Sequence, residues 1–351
     1  MIEFGCLPTI IGSMPHTDPA EACALVSRYL KDIPAWPQLP KRSFKENMYA
    51  QFSEGFPGVV VQEEIRTITR REEERIYVDR SRNMPESLAE LYSAYLVKDT
   101  TRYQISADYA AGLHSFLGLT NLSPLAVKGQ ITGPITWGLS VTDEIGKAII
   151  YDEVFGDAVV KFLRLKASWQ EKELSKICKN TIIFVDEPYL VAYGATSSEL
   201  GSPEKVISLL DEVLGGIKGL KGAHCCGNTD WSVLLSTKID ILSFDAYNYA
   251  QSLTLYPAEV KSFLDRKGAI AWGIVPNDEP SLAKETAASL KDRLEEAMAP
   301  FTRKGVPFKQ LIEQGLLTPS CGLAPLNTTD AAAQALELLV ELSVKIRKRH
   351  S

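Results

Sequence analysis

The run Lys221-Gly222-Ala223-His224-Cys225-Cys226-Gly227-Asn228 places a histidine and a cysteine two residues apart, at the end of what reads as a buried strand. Side chains at i and i+2 of a strand share a face. His224 and Cys226 can therefore close on one metal ion while Cys225 points the other way. Imidazole with thiolate is a donor set for zinc. Two ligands do not make a site, because structural zinc closes four positions and catalytic zinc takes three protein ligands plus a substrate. Two further donors stand in comparable places. Asp245 follows the apolar run Ile241-Leu242-Ser243-Phe244, and Cys321 lies in Thr318-Pro319-Ser320-Cys321-Gly322-Leu323. The plainer reading is that these thiols are small buried hydrophobes, as reduced cysteines commonly are; the two later donors weigh against it.

Donors so far apart in sequence meet only if the chain brings strand ends to one rim, and its patterning predicts this. Short apolar runs ending in polar or glycine-rich turns recur at 8–13, 33–39, 125–132, 181–186, 217–224, 239–245, 268–275 and 316–321, with helical stretches between them. Eight such units predict a single (β/α)8 TIM barrel over residues 1–351, with the active site at the C-terminal ends of the strands. A doubly wound open sheet would want a glycine-rich phosphate turn after its first strand, and Ile11-Gly12-Ser13-Met14-Pro15 is not one. One stretch departs from the repeat. Residues 58–80 read as a β-hairpin inserted after the second strand, with Glu72-Glu73-Glu74 at a solvated tip. Residues 329–348 have helical apolar spacing and basic residues at their end, which predicts a closing helix.

Composition bounds the partners. The 351 residues are 45% hydrophobic and 23% charged, with a net charge of −6, which argues against a nucleic-acid partner held by a broad basic surface. No run reaches the ~18 uninterrupted apolar residues of a membrane span. The start, Met1 to Cys6, has neither a basic region nor a long apolar stretch, so a cytoplasmic location is expected. Six scattered cysteines fit reduced thiols better than a disulfide scaffold.

Taken together, Thr9-Ile10-Ile11-Gly12-Ser13-Met14-Pro15, Gln130-Ile131-Thr132-Gly133-Pro134-Ile135-Thr136, Val185-Asp186-Glu187-Pro188, His224-Cys225-Cys226 and Pro319-Ser320-Cys321-Gly322-Leu323 resemble the C-terminal catalytic domain of cobalamin-independent methionine synthase. Order and rough spacing match from about residue 8 to residue 340. The resemblance implies a TIM barrel that uses zinc to activate homocysteine for methylation. It places the zinc ligands on His224, Cys226 and Cys321, and the family's glutamate ligand where this chain has Asp245. That side chain is one methylene shorter, so the resemblance leaves it either a ligand only when substrate is absent or a group behind the ligands. The homocysteine contacts fall on Ile11, Gly12 and Ser13, whose backbone would meet the carboxylate, and on Asp186, whose charge would pair with the ammonium. A second acidic contact of the family falls near Gln38, which is uncharged. Alone, Asp186 would read as a helix cap and Gly12-Ser13 as a turn; within the constellation the substrate reading is favoured.

Zinc makes a thiolate of a thiol whose free pKa is ~8.5, and it leaves that sulfur able to attack a methyl group. The origin of the methyl group is read from departures. Folate-dependent members carry a second, N-terminal barrel and a His-Ser-Pro element, and this chain, shorter by that barrel, has Gly273-Ile274-Val275-Pro276-Asn277 in the element's place. Losing the histidine removes a proton donor for a folate leaving group, whereas cob(I)alamin leaves unprotonated. The string His224-x-Cys226-Gly227-Asn228 also resembles the motif of corrinoid-dependent zinc methyltransferases in the uroporphyrinogen decarboxylase superfamily. The resemblance therefore implies a short, core-type methionine synthase that takes its methyl group from methylcobalamin or a methylated corrinoid protein. The alternatives are transfer to another thiol such as coenzyme M, which gives Asp186 no role; a tetrapyrrole enzyme, which would need an arginine-lined pocket; and a zinc-stabilised corrinoid carrier, which would close all four metal positions.

Overall fold

Among the described residues of the computed structural model, the strands are β1 (Leu7–Pro8), β2 (Val59–Gln62), β3 (Ile65–Arg66), β4 (Arg71–Glu72), β5 (Arg75–Val78), β6 (Val127–Thr132), β7 (Thr142–Asp143), β8 (Thr181–Asp186), β9 (Leu220–Cys225), β10 (Ile241–Phe244), β11 (Ala269–Val275) and β12 (Gly315–Pro319). The structure describes residues 2–63, 65–66, 71–72, 74–193 and 201–350. Seven of these strands form one parallel sheet in the order β1-β12-β11-β10-β9-β8-β6. Helices such as Glu153–Leu174, Pro203–Leu214 and Ala287–Arg303 lie between successive strands, as parallel pairing requires.

The sheet curls, because residues from strands far apart in that order meet in one buried cluster: Leu7 of β1, Ile182 and Phe184 of β8, Ile241 of β10, Ala269 and Ala271 of β11, and Leu316 of β12. Residues of opposite parity, among them Ile183, Val185, Ala223, Cys225, Leu242, Phe244, Trp272 and Leu317, belong to the larger core shared with the helices. The inward parity changes character toward the C-terminal strand ends. There it reads Lys128 and Gln130 on β6, Asp186 on β8, His224 on β9, Ser243 on β10 and Thr318 on β12, all buried. An apolar floor thus carries a polar layer above it.

The fold is α/β and consistent with a TIM-like barrel, but the ladder does not run through eight regular strands. Between β1 and β6 lies the segment 34–38, bonded on one side through Trp36 N to Lys128 O (3.4 Å) and Lys128 N to Pro34 O (2.9 Å). On its other side Gln38 N donates to Gly12 O (3.0 Å) and Met14 N to Gln38 O (2.9 Å). These are isolated bridges, Ala35 with Lys128 and Ser13 with Gln38. The predicted strand 33–39 is irregular because Pro34, Pro37 and Pro40 have no N–H to give a ladder. The predicted strand 8–13 is regular only over Leu7–Pro8.

The segment predicted as a hairpin contains an antiparallel pair, Val59 opposite Val78 through Gln62 opposite Arg75. A third strand joins it, since β5 also pairs in parallel with β7, a contact that local patterning could not reveal. β3 pairs with β4; Glu73 of the glutamate run lies outside the described residues. The last helix, Thr329–His350, buries Ala332, Leu336, Leu339 and Ile346 and ties to the start of the chain through Ser343 Oγ donating to Cys6 O (2.8 Å). Among the described residues no helix is long and apolar enough to cross a membrane.

Candidate metal and substrate site

Alternation along β9 turns His224 inward and Cys225 outward. His224 is 2% exposed and sits in register with Ser243 of β10, whose Oγ lies 3.0 Å from Nδ1. That contact orients the ring. Nε2 is buried and has no partner among the described residues. Cys226 stands just past the end of β9. Cys321 follows β12, where Ser320 N donates to Val275 O (2.7 Å). One donor atom from each of His224, Cys226 and Cys321 lies within 4.8 Å of the other two. A tetrahedral ion with bonds of ~2.3 Å to sulfur and ~2.0 Å to nitrogen needs a similar spacing.

The electrostatics of the trio suit a cation. The hydrogen bond with Cys321, reinforced by the His224 ring, holds the Cys226 thiol down to about 4 despite its burial. Cys321 is driven the other way, first by that same hydrogen bond and then by burial. The two sulfurs thus lie close enough to influence each other's protonation, in a place where an electrophile could bind both. Cys225 belongs to the apolar core, and burial pushes its thiol up to about 12.

Asp245 is not part of this trio. It caps the helix Ala246–Leu253, with Oδ1 accepting from Asn248 N (2.8 Å) and Oδ2 from Asn248 Nδ2 (2.7 Å). Aspartate is a favoured N-cap, and here both oxygens are engaged by the helix start.

The residues expected to contact an amino-acid substrate do gather on this rim. Gly12 O accepts from Gln38 N, and a Cβ at Gly12 would come within 2.6 Å of Gln130 Cδ and Gln38 Oε1, so any larger residue must displace those two amides. Ile11 O accepts from Lys128 Nζ at 2.6 Å. Ser13 O accepts from Leu323 N (2.8 Å), and a Cβ at Gly322 would lie 2.0 Å from Ser13 Oγ, which sets this turn against the loop of Cys321. Gln38 is buried and its Nε2 donates to Gln51 Oε1 (2.7 Å). Asp186 lies in register with His224. Its Oδ1 is buried and unpartnered among the described residues. Burial raises its carboxyl to about 6, against the pull of the His224 and Lys128 charges.

The sequence assigns no role to several side chains found here. Lys128 and Gln130 signal themselves only as polar residues of inward parity in an otherwise apolar strand. Ser243 is the same kind of interruption on β10. Asn277, to which the resemblance gives no role, clamps the loop of Cys321: its Nδ2 donates to Gly322 O (3.0 Å) and its Oδ1 accepts from Ser320 Oγ (3.0 Å). The rings of Tyr49 and Tyr189 lie 6.0 Å apart, and burial together with their mutual hydrogen bond raises the Tyr49 hydroxyl. A cleft of about 650 Å³ lined by Lys98, Arg164, Lys172 and Lys218 opens elsewhere, beside Thr181 and Gly219 at the other ends of β8 and β9. It holds no thiol or imidazole, so donor chemistry rather than cavity size marks the site.

No protein-family model matches the chain, and no curated protein matches it in sequence. Solved structures do match. A B12-independent methionine synthase from Shewanella sp. W3-18-1, in complex with selenomethionine, is similar with a TM-score of 0.59 and 18% identity, over 98% of this chain and 98% of that one. This chain shares its fold. A methyltransferase from Methanosarcina mazei gives a TM-score of 0.52 at 13% identity, over 95% of this chain and 86% of that one.

Proposed function

We propose that the chain is a zinc-dependent methyltransferase that moves a methyl group from methylcobalamin, or a methylated corrinoid protein, to the thiol of homocysteine, giving methionine. The observation that carries this reading is the inward trio His224, Cys226 and Cys321 beside an unpartnered carboxylate oxygen of Asp186. The donor set fits zinc: a buried, unpartnered imidazole nitrogen, two sulfurs within 4.8 Å of it and of each other, and a hydroxyl fixing the far side of the ring. Zinc bound there would hold a substrate thiol as a nucleophilic thiolate at neutral pH.

The chain's own residues do the rest. Three protein donors leave one position for a substrate sulfur. Asp186 Oδ1 offers a negative partner for an ammonium, and the backbone of Ile11, Gly12 and Ser13 a cradle for a carboxylate. The selenomethionine in the Shewanella structure supports an amino-acid ligand of this size. Asp186 favours homocysteine over coenzyme M, because a sulfonate brings no positive charge for that carboxylate. The segment Gly273 to Asn277 favours the corrinoid donor, because it holds no histidine to act as the acid for a folate leaving group, and the Asn277 amide is committed to the Cys321 loop.

Incubating the zinc-loaded protein with homocysteine and methylcobalamin should yield methionine and a demethylated cobalamin spectrum. A chelator that strips the metal should abolish both. Methyltetrahydrofolate, in mono- or polyglutamyl form, should give no product; turnover with it alone would overturn the donor assignment and leave the thiol assignment standing.

A further inference from the structure

Among the described residues Lys128 is the one lysine of the polar layer that faces into the curl of the sheet, and it is completely buried. Its Nζ lies 2.6 Å from Ile11 O and 3.2 Å from Gln130 Oε1, and 4.3 Å from the centre of the Phe184 ring. Gln130 in turn donates to Trp36 O (3.1 Å) and packs so closely on Gly12 that a Cβ there would touch it. One ammonium thus ties β6 to the 11–13 turn directly and also holds Gln130, which packs against that turn at Gly12. Among the described residues no carboxylate is within ion-pair distance of it; Asp186 acts on it from further away, and burial brings the amine down to about 7.

A buried cation held by one carbonyl, one amide and a ring face is poor value for stability, since an apolar side chain of the same volume is often neutral or better. Its geometry points instead to the substrate. We propose that Lys128 is the positioning residue of the amino-acid site, fixing the Ile11–Gly12–Ser13 backbone for the substrate carboxylate and balancing Asp186 for the substrate ammonium. This rests on the homocysteine reading above. Both ends of the amino acid would then depend on a residue that touches neither, while the metal ligands do not depend on it.

The test compares two thiols on the zinc-loaded protein by calorimetry: homocysteine, and mercaptoethanol, which has no ammonium or carboxylate. Lys128→Met should keep the fold and zinc content and leave mercaptoethanol binding unchanged. Homocysteine affinity should fall roughly 10- to 100-fold, the scale of losing a hydrogen bond made by a charged group. Lys128→Gln, which keeps a donor but drops the charge, should show the same loss of selectivity and stands in should the methionine variant fail to fold. Equal weakening of both thiols, or unchanged homocysteine affinity, would overturn the proposal while the homocysteine reading stood. If the parent protein showed no preference for homocysteine, the reading and the proposal would fall together.

Discussion

Replacing Cys226, Cys321 and Cys225 by serine one at a time separates metal binding from core packing. A complete structural zinc site is worth ~10–16 kcal/mol in apparent binding free energy, so each ligand of the inward trio should carry about 3 kcal/mol or more. At ~1.4 kcal/mol per decade that is a loss of roughly 100-fold or greater in zinc affinity. Cys225 is fully buried in the apolar core with its thiol turned away from the trio. A hydroxyl there should cost ~1–3 kcal/mol of folding stability and leave zinc affinity intact. Ser243→Ala should fall between, lowering zinc affinity ~10- to 100-fold by freeing the His224 ring. Zinc competition against a chromophoric chelator, run beside thermal unfolding of the metal-free proteins, reads both axes. Cys226→Ser and Cys321→Ser should move the first and scarcely the second, and Cys225→Ser the reverse. Equal zinc loss from Cys225→Ser and Cys226→Ser would refute the assignment of faces on β9.

Asp186→Asn should raise the homocysteine concentration for half-maximal rate by the ~1–3 kcal/mol of a charge-assisted contact without altering zinc content; unchanged preference between homocysteine and mercaptoethanol would return Asp186 to a structural role. Gly12→Ala should destabilise by ~1–3 kcal/mol through overpacking, because the new Cβ meets Gln130 and Gln38, and should impair homocysteine binding more than zinc binding; a variant with parental melting temperature and affinity would show that the turn gives way freely. Lys166 is fully buried, donates to Gln104 O (3.1 Å), and is brought down to about 7 by burial. The unfolded chain holds that proton up to ~10.4 and the folded one only below about 7, so its contribution to stability rises with pH between those values and is smallest in acid. Lys166→Met should therefore stabilise most at pH 6 and progressively less toward pH 9 in urea unfolding; a pH-independent difference would contradict this.

Local period-two patterning suffices for the strands near 125–132, 181–186, 239–245 and 268–275 and for the opposed faces of His224 and Cys225, because parity is a property of neighbouring residues. It fails at 33–39, where the apolar run is real but prolines remove the ladder, and at β7, whose partner β5 is more than sixty residues away in the chain. The parallel sheet explains why polar residues at the ends of separate runs meet on one rim, yet it does not decide which of them remain available to a ligand. That is settled by competition with helix starts, whose unpaired N–H groups attract carboxylates. Three carboxylates stand at or just beyond these strand ends. Glu187 is taken by Ile135 N (2.9 Å) and Thr136 N (2.7 Å) of the helix Pro134–Ser140, and Asp245 by the backbone and side chain of Asn248. Asp186 alone keeps a buried oxygen with no partner among the described residues, beside the imidazole and thiols. Asp186 and Glu187 are adjacent and chemically alike, and only three-dimensional packing distinguishes the one that caps a helix from the one whose buried oxygen has no partner among the described residues.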